Sequence, residues 1–329
     1  MISRQIARLR RALPAPVRRP VHMLLQAIRG VRRVTAGLIG RAFPAPPEPE
    51  IDGVPASTLA RERATRRDQR HFGAGDLARL ERLCRTAVVL PLGDAHARRE
   101  DRPGHLVALR HDLDHDVEQA VRMARWEAER GWRSTYFVLH SEWYWGARGP
   151  REPSAYVLRA LDEIAALGHE IGVHNNALAA ALRTGRAPAS ILADVLDGLR
   201  SHGFAITGTA AHGDPLARRH GFVNYEMFRG CPHPDGKSPD RVLEALDPAT
   251  HRRRRLRLEP VDMAAFGLEY EAYFIGHSQY LSEAEGRWNR PPDEIAAAFR
   301  REGGFLQILT HPVHWTLEGE AALTALARP

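Results

Sequence analysis

The chain has 329 residues, of which 43% are hydrophobic and 26% charged, with a formal net charge of +7. That length and balance exclude a disordered or fibrous chain and allow one barrel or two smaller domains. No apolar run approaches the roughly 20 residues of a membrane-spanning helix. The two cysteines, Cys84 and Cys231, lie in unrelated contexts, so they read as inert thiols rather than a disulfide framework or a thiolate metal site.

The positive charge is concentrated at the start. Residues 1–50 carry ten Arg and two Glu, whereas the remainder carries 37 basic and 38 acidic residues. Lys237 is the only lysine. Such Arg and Ala bias reads as genome composition, and no RNA- or DNA-binding signature accompanies it, so no nucleic-acid partner is expected. Leu24, Ile28, Val31, Val34 and Leu38 recur at helical spacing, with Arg29, Arg32 and Arg33 between them. That pattern is a basic amphipathic helix, weakened by Gly30 and Gly37. It either lies on an anionic membrane surface or is a tail or a helix packed on the body. The same arginines interrupt the only apolar stretch before Gly40, so the segment does not read as a secretory signal. The expected location is cytoplasmic, with peripheral membrane contact left open. Pro44-Ala45-Pro46-Pro47-Glu48-Pro49 reads as a semi-rigid linker. It separates a leader, 1–50, from a body, 51–329.

The body alternates helix and strand signals. Gly73 to Thr86 reads as a helix, with Leu77, Leu80 and Leu83 on one face. Leu106 to Leu109 is a short buried strand. Val117 to Arg130 is a helix stopped by Gly131, and Thr135 to Leu139 is a β-rich run. Trp143-Tyr144-Trp145 either caps the core or meets a ligand. Ser154 is the N-cap of a helix from Ala155 to Leu167. Ser190 to His202 forms another helix. His251-Arg252-Arg253-Arg254-Arg255 reads as a solvated loop. Pro291 and Pro292 open a last helix that Gly303-Gly304 closes. This alternation predicts an α/β fold with a mainly parallel sheet.

The chemistry is concentrated at strand ends. Arg110-His111-Asp112-Leu113-Asp114-His115-Asp116 follows the first strand, and Asp112 and Asp114, two apart, point to one side if the strand continues. Two carboxylates on one side repel unless a cation or a shared proton lies between them. Three later strand-like runs end in His174, His212 and His311. Functional groups of parallel α/β folds sit at the carboxyl ends of strands, so these groups are expected to share one site.

These segments resemble a known family. Arg110 to His115, Ser134 to Leu139, Gly168 to His174 and Leu309-Thr310-His311-Pro312 look like the polysaccharide deacetylases of carbohydrate esterase family four, in the branch whose first motif is Asp-x-Asp. Tyr280-Leu281-Ser282 with Gly286-Arg287-Trp288 is similar to that family's tryptophan-bearing motif. The resemblance runs from about Leu106 to Trp315, with the motifs in the family's order. It implies a distorted (β/α) barrel of about seven strands, fewer than the eight of a regular one. It also implies hydrolysis of a C–N amide bond, with Asp112 as general base and His311 protonating the leaving amine. Asp114 and His174 would bind a divalent metal, zinc first. The substrate would be an N-acetylated sugar in an intracellular or lipid-linked glycan precursor. Arg110, His111, His115, Arg287 and Trp288 would support the site or the substrate.

The chain departs from the family where its second metal histidine is expected, four residues after His174. That position is Leu178, which cannot bind a metal. His212, His115, Asn175 and water are the replacements, with His212 first because it ends its own strand. The Asp that opens the fourth motif is also missing, with Ser282-Glu283 nearby. The alternatives are an amidohydrolase for a non-sugar amide and an inactive barrel retained for binding.

Overall fold

The computed structural model describes residues 48–66, 69–101, 104–246 and 251–317. The leader helix and the start of the proline-rich linker lie outside them. From Glu50 onward the chain forms one unit.

The unit opens with strands β1 (Glu50–Ile51) and β2 (Val54–Pro55), then helices α1 (Ala56–Arg66) and α2 (Ala74–Cys84). There follow β3 (Val88–Val89), α3 (Leu92–Ala97), β4 (His105–Leu113), α4 (Val117–Ala128) and β5 (Thr135–Leu139). Next come α5 (Ala155–Ala166), β6 (Glu170–Asn175), α6 (Ala177–Thr184), α7 (Pro188–Arg200), β7 (Gly208–Ala211) and α8 (Pro215–His220). The chain continues through β8 (Val242–Leu246), β9 (Arg253–Arg257), β10 (Tyr270–Glu271), β11 (Gln279–Ala284) and β12 (Arg287–Trp288), and ends with α9 (Pro292–Glu302) and β13 (Gly304–Thr310).

The main sheet has the order β10-β7-β6-β5-β4-β13-β11-β12, with β3 also beside β4. Every pair in it is parallel except the β11–β12 hairpin. The fold is thus α/β, with a curled, half-barrel sheet dominated by parallel strands.

Strand alternation sorts β4 into two environments. Val107 and Leu109 pack outward with Leu77, Leu80, Leu83, Phe299 and Trp315. Leu106 and Ala108 pack on the other face with Phe137, Ala210, Tyr270 and Phe305. That inner layer is the floor of the site. Two inward glycines make room for its rings. A Cβ on Gly172 would stand 2.4 Å from Phe137, and one on Gly208 2.2 Å from Tyr270.

The arginine run expected as a loop instead forms strand β9, paired with β8 from Val242↔Arg257 to Leu246↔Arg253. The physical reason is alternation. Arg253, Arg255 and Arg257 face out while Leu256 is partly and Leu258 fully buried. Both cysteines are free and buried. Among the described residues, no helix is long and apolar enough to cross a membrane.

Candidate metal and proton-transfer site

Because the strands are parallel, their carboxyl ends meet on one side. Register fixes who meets whom. Thr310 of β13 pairs with His111 of β4, so His311 follows alongside Asp112. His174 pairs with Ala210, and the His212 N–H donates to the Asn175 carbonyl at 2.9 Å. These ends open into a cleft of about 1250 Å³ lined by Arg110, Asp112, Asp114, His174, His212 and His311.

Within it, three atoms converge. His174 Nε2 lies 3.1 Å from His212 Nδ1 and 3.2 Å from Asp114 Oδ1, and His212 Nδ1 lies 3.3 Å from the same oxygen. Atoms bound to one ion at about 2.0–2.1 Å stand about 3 to 3.5 Å apart, so the triangle has the size of a coordination face. Asp114 Oδ1 is buried and makes no well-formed hydrogen bond. His174 Nδ1 faces the Ala210 carbonyl at 3.0 Å. Donation there leaves the Nε2 lone pair toward Asp114, the tautomer a ligand needs. The donor set fits a metal. Burial would raise the Asp114 carboxyl, but the neighbouring His174, His212 and His311 rings hold it well below its usual range.

Two further groups flank the triangle. Asp112 Oδ2 lies 3.4 Å from His174 Nε2. Both its oxygens are taken by Arg110, Nε to Oδ1 at 2.9 Å and Nη2 to Oδ2 at 2.8 Å. Burial pushes the Asp112 carboxyl up, while Arg110 and His174 outweigh it and keep it low. His311 Nε2 lies 3.7 Å from Asp114 Oδ2. Its other nitrogen stands 3.4 Å from Glu283, which also accepts the His311 backbone N–H at 2.8 Å. Burial would lower the His311 ring, but the Glu283 and Asp114 carboxylates push it up to about 9.

The remaining expected residues divide. Arg110 lies in the cleft, paired with Asp112 rather than Asp114. His115 lies at the mouth, side chain 46% exposed, 3.3 Å from Glu142 and apart from the triangle. His111 is not a cleft residue. The alternation that turns Arg110, Asp112 and Asp114 inward turns His111 outward, where it meets Glu127 at 2.7 Å and Thr310 at 2.7 Å. Neither Arg287 nor Trp288 lines the cleft. Trp288 packs instead on Phe72, 5.4 Å between centroids, and near Trp315. Its strand β12 turns back from β11 and carries it into the outer core. Leu178 is fully buried in the main core cluster, so the missing histidine position does not face the site. Asn175 is no ligand either, since its side-chain oxygen Oδ1 accepts the Ala177 N–H at 2.9 Å. Tyr144 and Trp145 are buried in the core, Trp145 also lining the cleft, and the Tyr144 hydroxyl donates to the Leu113 carbonyl.

Sequence reasoning missed several cleft residues. His140 is buried and driven down to about 3 by burial and by the nearby His212 and His174, so it stays neutral. Glu271 accepts the Ala211 N–H at 2.9 Å and the Tyr273 N–H at 2.8 Å. Burial pushes this carboxyl up to about 7 against the pull of Arg110. Glu283, noted from the sequence only as lying near the missing fourth-motif Asp, is fully buried behind His311 rather than in the cleft lining.

Compared with known proteins, the chain matches no protein-family model, no curated protein and no solved structure.

Proposed function

We propose that this chain is a metal-dependent hydrolase of a C–N amide bond, built on a distorted (β/α) barrel of the polysaccharide-deacetylase kind. Its substrate is an N-acetylated sugar in an intracellular or lipid-linked glycan precursor. The observation that carries this reading is the Asp114–His174–His212 triangle, flanked by a carboxylate gripped by Arg110 and an imidazole backed by Glu283. The chemistry supplied by a divalent metal bound there, zinc by its donor set, is polarisation of the acyl oxygen and acidification of water.

The chain's own groups divide the proton work. Asp112, ionised and oriented by Arg110, takes a proton from the attacking water. The water oxygen adds to the acyl carbon. His311 donates from Nε2 to the amine nitrogen, so the C–N bond breaks to a neutral amine and the acid. Glu283 holds that ring and favours its charged form. A cleft filled by polar donors also speaks against an inactive barrel, which would have apolar side chains in this space.

The test is metal analysis of purified protein, with acetate release followed over a panel of N-acetylated glycans. One bound metal and release from a sugar are expected. Metal-dependent release from non-sugar amides alone would replace the sugar with a non-sugar amide substrate. No bound metal after reconstitution would end the hydrolase reading.

A further inference from the structure

We infer that the outward face of the β8–β9 hairpin is a docking surface for an anionic lipid bilayer. The inference goes beyond amide hydrolysis and stands without it.

The hairpin pairs with no other strand among the described residues. Its inner face is fixed, because Leu243 and Ala245 are buried in the main core cluster and Leu256 packs against it. A period of two then sends the alternate residues outward. Across that outer face Val242 stands opposite Arg257, Glu244 opposite Arg255 and Leu246 opposite Arg253. Of the six large apolar side chains exposed among the described residues, two are here, Val242 at 46% and Leu246 at 43%. Both ends of β8 are thus apolar and outward, each with an arginine across from it. Arg255 pairs with Glu244 at 2.7 Å and Arg257 with Asp240 at 2.8 Å. Arg253 and the adjoining, exposed Arg252 have no acidic partner among the described residues.

Arginine alone would be enough to keep an exposed strand from pairing with another chain. Valine and leucine beside it work against that role and call for an apolar medium. A bilayer surface offers both, acyl carbon at the headgroup boundary and phosphate above it. Arginine stems lie along apolar surface while the guanidinium groups grip phosphate oxygens in pairs. A nucleic acid would satisfy the arginines and leave Val242 and Leu246 in water. Position agrees with a bilayer. β9 packs against α6 and β8 against α8, and Arg183, Thr184, Pro215 and Arg218 of those helices line the cleft. A membrane on this face therefore lies beside the cleft.

The experiment sediments the full chain with vesicles of phosphatidylcholine alone or of equimolar phosphatidylcholine and phosphatidylglycerol. Binding should be tighter to the anionic vesicles and should weaken with salt. Arg253→Gln/Arg255→Gln should weaken it about thirtyfold, roughly fivefold for each arginine, with the melting temperature as a folding control. A second measurement separates the hairpin from the leader. An environment-sensitive thiol dye is placed at Leu246→Cys or, as a reference, at Glu129→Cys, beyond the end of α4. Cys84 and Cys231 are buried, so the dye takes the new thiol. The dye at 246 should brighten and shift to the blue on anionic vesicles, and the dye at 129 should not. Equal binding by the double variant and wild type overturns the inference, as does failure to bind either vesicle. Vesicle binding that leaves the dye at 246 unmoved, or that moves both dyes alike, overturns it in favour of another segment. A response at 246 to duplex DNA but not to vesicles overturns it in favour of a nucleic acid. A response reproduced by soluble glycerol phosphate overturns it in favour of a free-anion site.

Discussion

Arg110 and Asp112 leave one strand two residues apart and close a bidentate pair at 2.9 and 2.8 Å, both side chains buried. The neighbouring carboxylate, Asp114, pairs with no arginine among the described residues and faces the imidazoles of His174, His212 and His311 instead. One strand end thus carries two acids with different partners, and the partners divide the work.

Asp112→Asn should lower kcat by about a hundredfold to ten-thousandfold, because an amide cannot accept the water's proton. Bound metal should stay near the wild-type level. Asp114→Asn should instead lower metal content, read by elemental analysis of dialysed protein. Equal metal loss in both variants would show that the two roles are misassigned.

His212→Ala should reduce metal occupancy as severely as His174→Ala, since the two nitrogens are equivalent corners of one triangle. Leu178→His should not rescue it. Leu178 is fully buried among apolar neighbours, so an imidazole there costs about 1–3 kcal/mol of stability for its unpaired nitrogens. A gain in metal affinity from Leu178→His would mean that α6 can turn that position into the cleft.

Glu283→Gln removes the carboxylate that helps push the His311 ring up to about 9. A raised imidazole is protonated below its pKa and loses its proton as pH rises through it. Activity that needs His311 charged should therefore fall on the alkaline side, and in Glu283→Gln that fall should begin at lower pH. An unmoved alkaline limb in the pH–rate profile would detach His311 from the proton transfer.

Glu127 predicts the acid response of the fold. It is fully buried and accepts from His111 at 2.7 Å, Ser134 at 2.8 Å and Tyr136 at 2.7 Å. Burial would raise this carboxyl, but the His111 and His169 rings and the Tyr136 hydroxyl keep it below its ordinary value. A depressed carboxyl contributes stability above its unfolded pKa, about 4.3, and loses it as pH falls through the folded value. Denaturant unfolding should show that acid slope. In Glu127→Gln the slope should flatten and stability at pH 7 should drop by about 1–3 kcal/mol, the cost of leaving buried polar partners imperfectly satisfied.

Much of the site was legible because strand ends carry it. A period of two placed Asp112 and Asp114 together, and His174, His212 and His311 each ended an apolar run. His212 as the third corner could be reasoned from the lack of a histidine at 178. The rest depended on three-dimensional neighbours. Glu283 reaches His311 only because β11 lies beside β13. Tyr273 sits in a short turn with no period to read. Trp288 matched a motif but was carried by a hairpin into the outer core. The arginine run read as a loop because charge masked the alternation that Leu256 and Leu258 complete.

The hub around Glu127 also has a consequence for descent. His111, Ser134, Tyr136 and Glu127 have no water to fall back on, so losing one strands the others as unpaired polar groups. Drift through single replacements is therefore closed at these positions. In sequences that descend from a common ancestor with this chain, the four should be inherited together or exchanged together for apolar residues, whatever happens at the cleft above them.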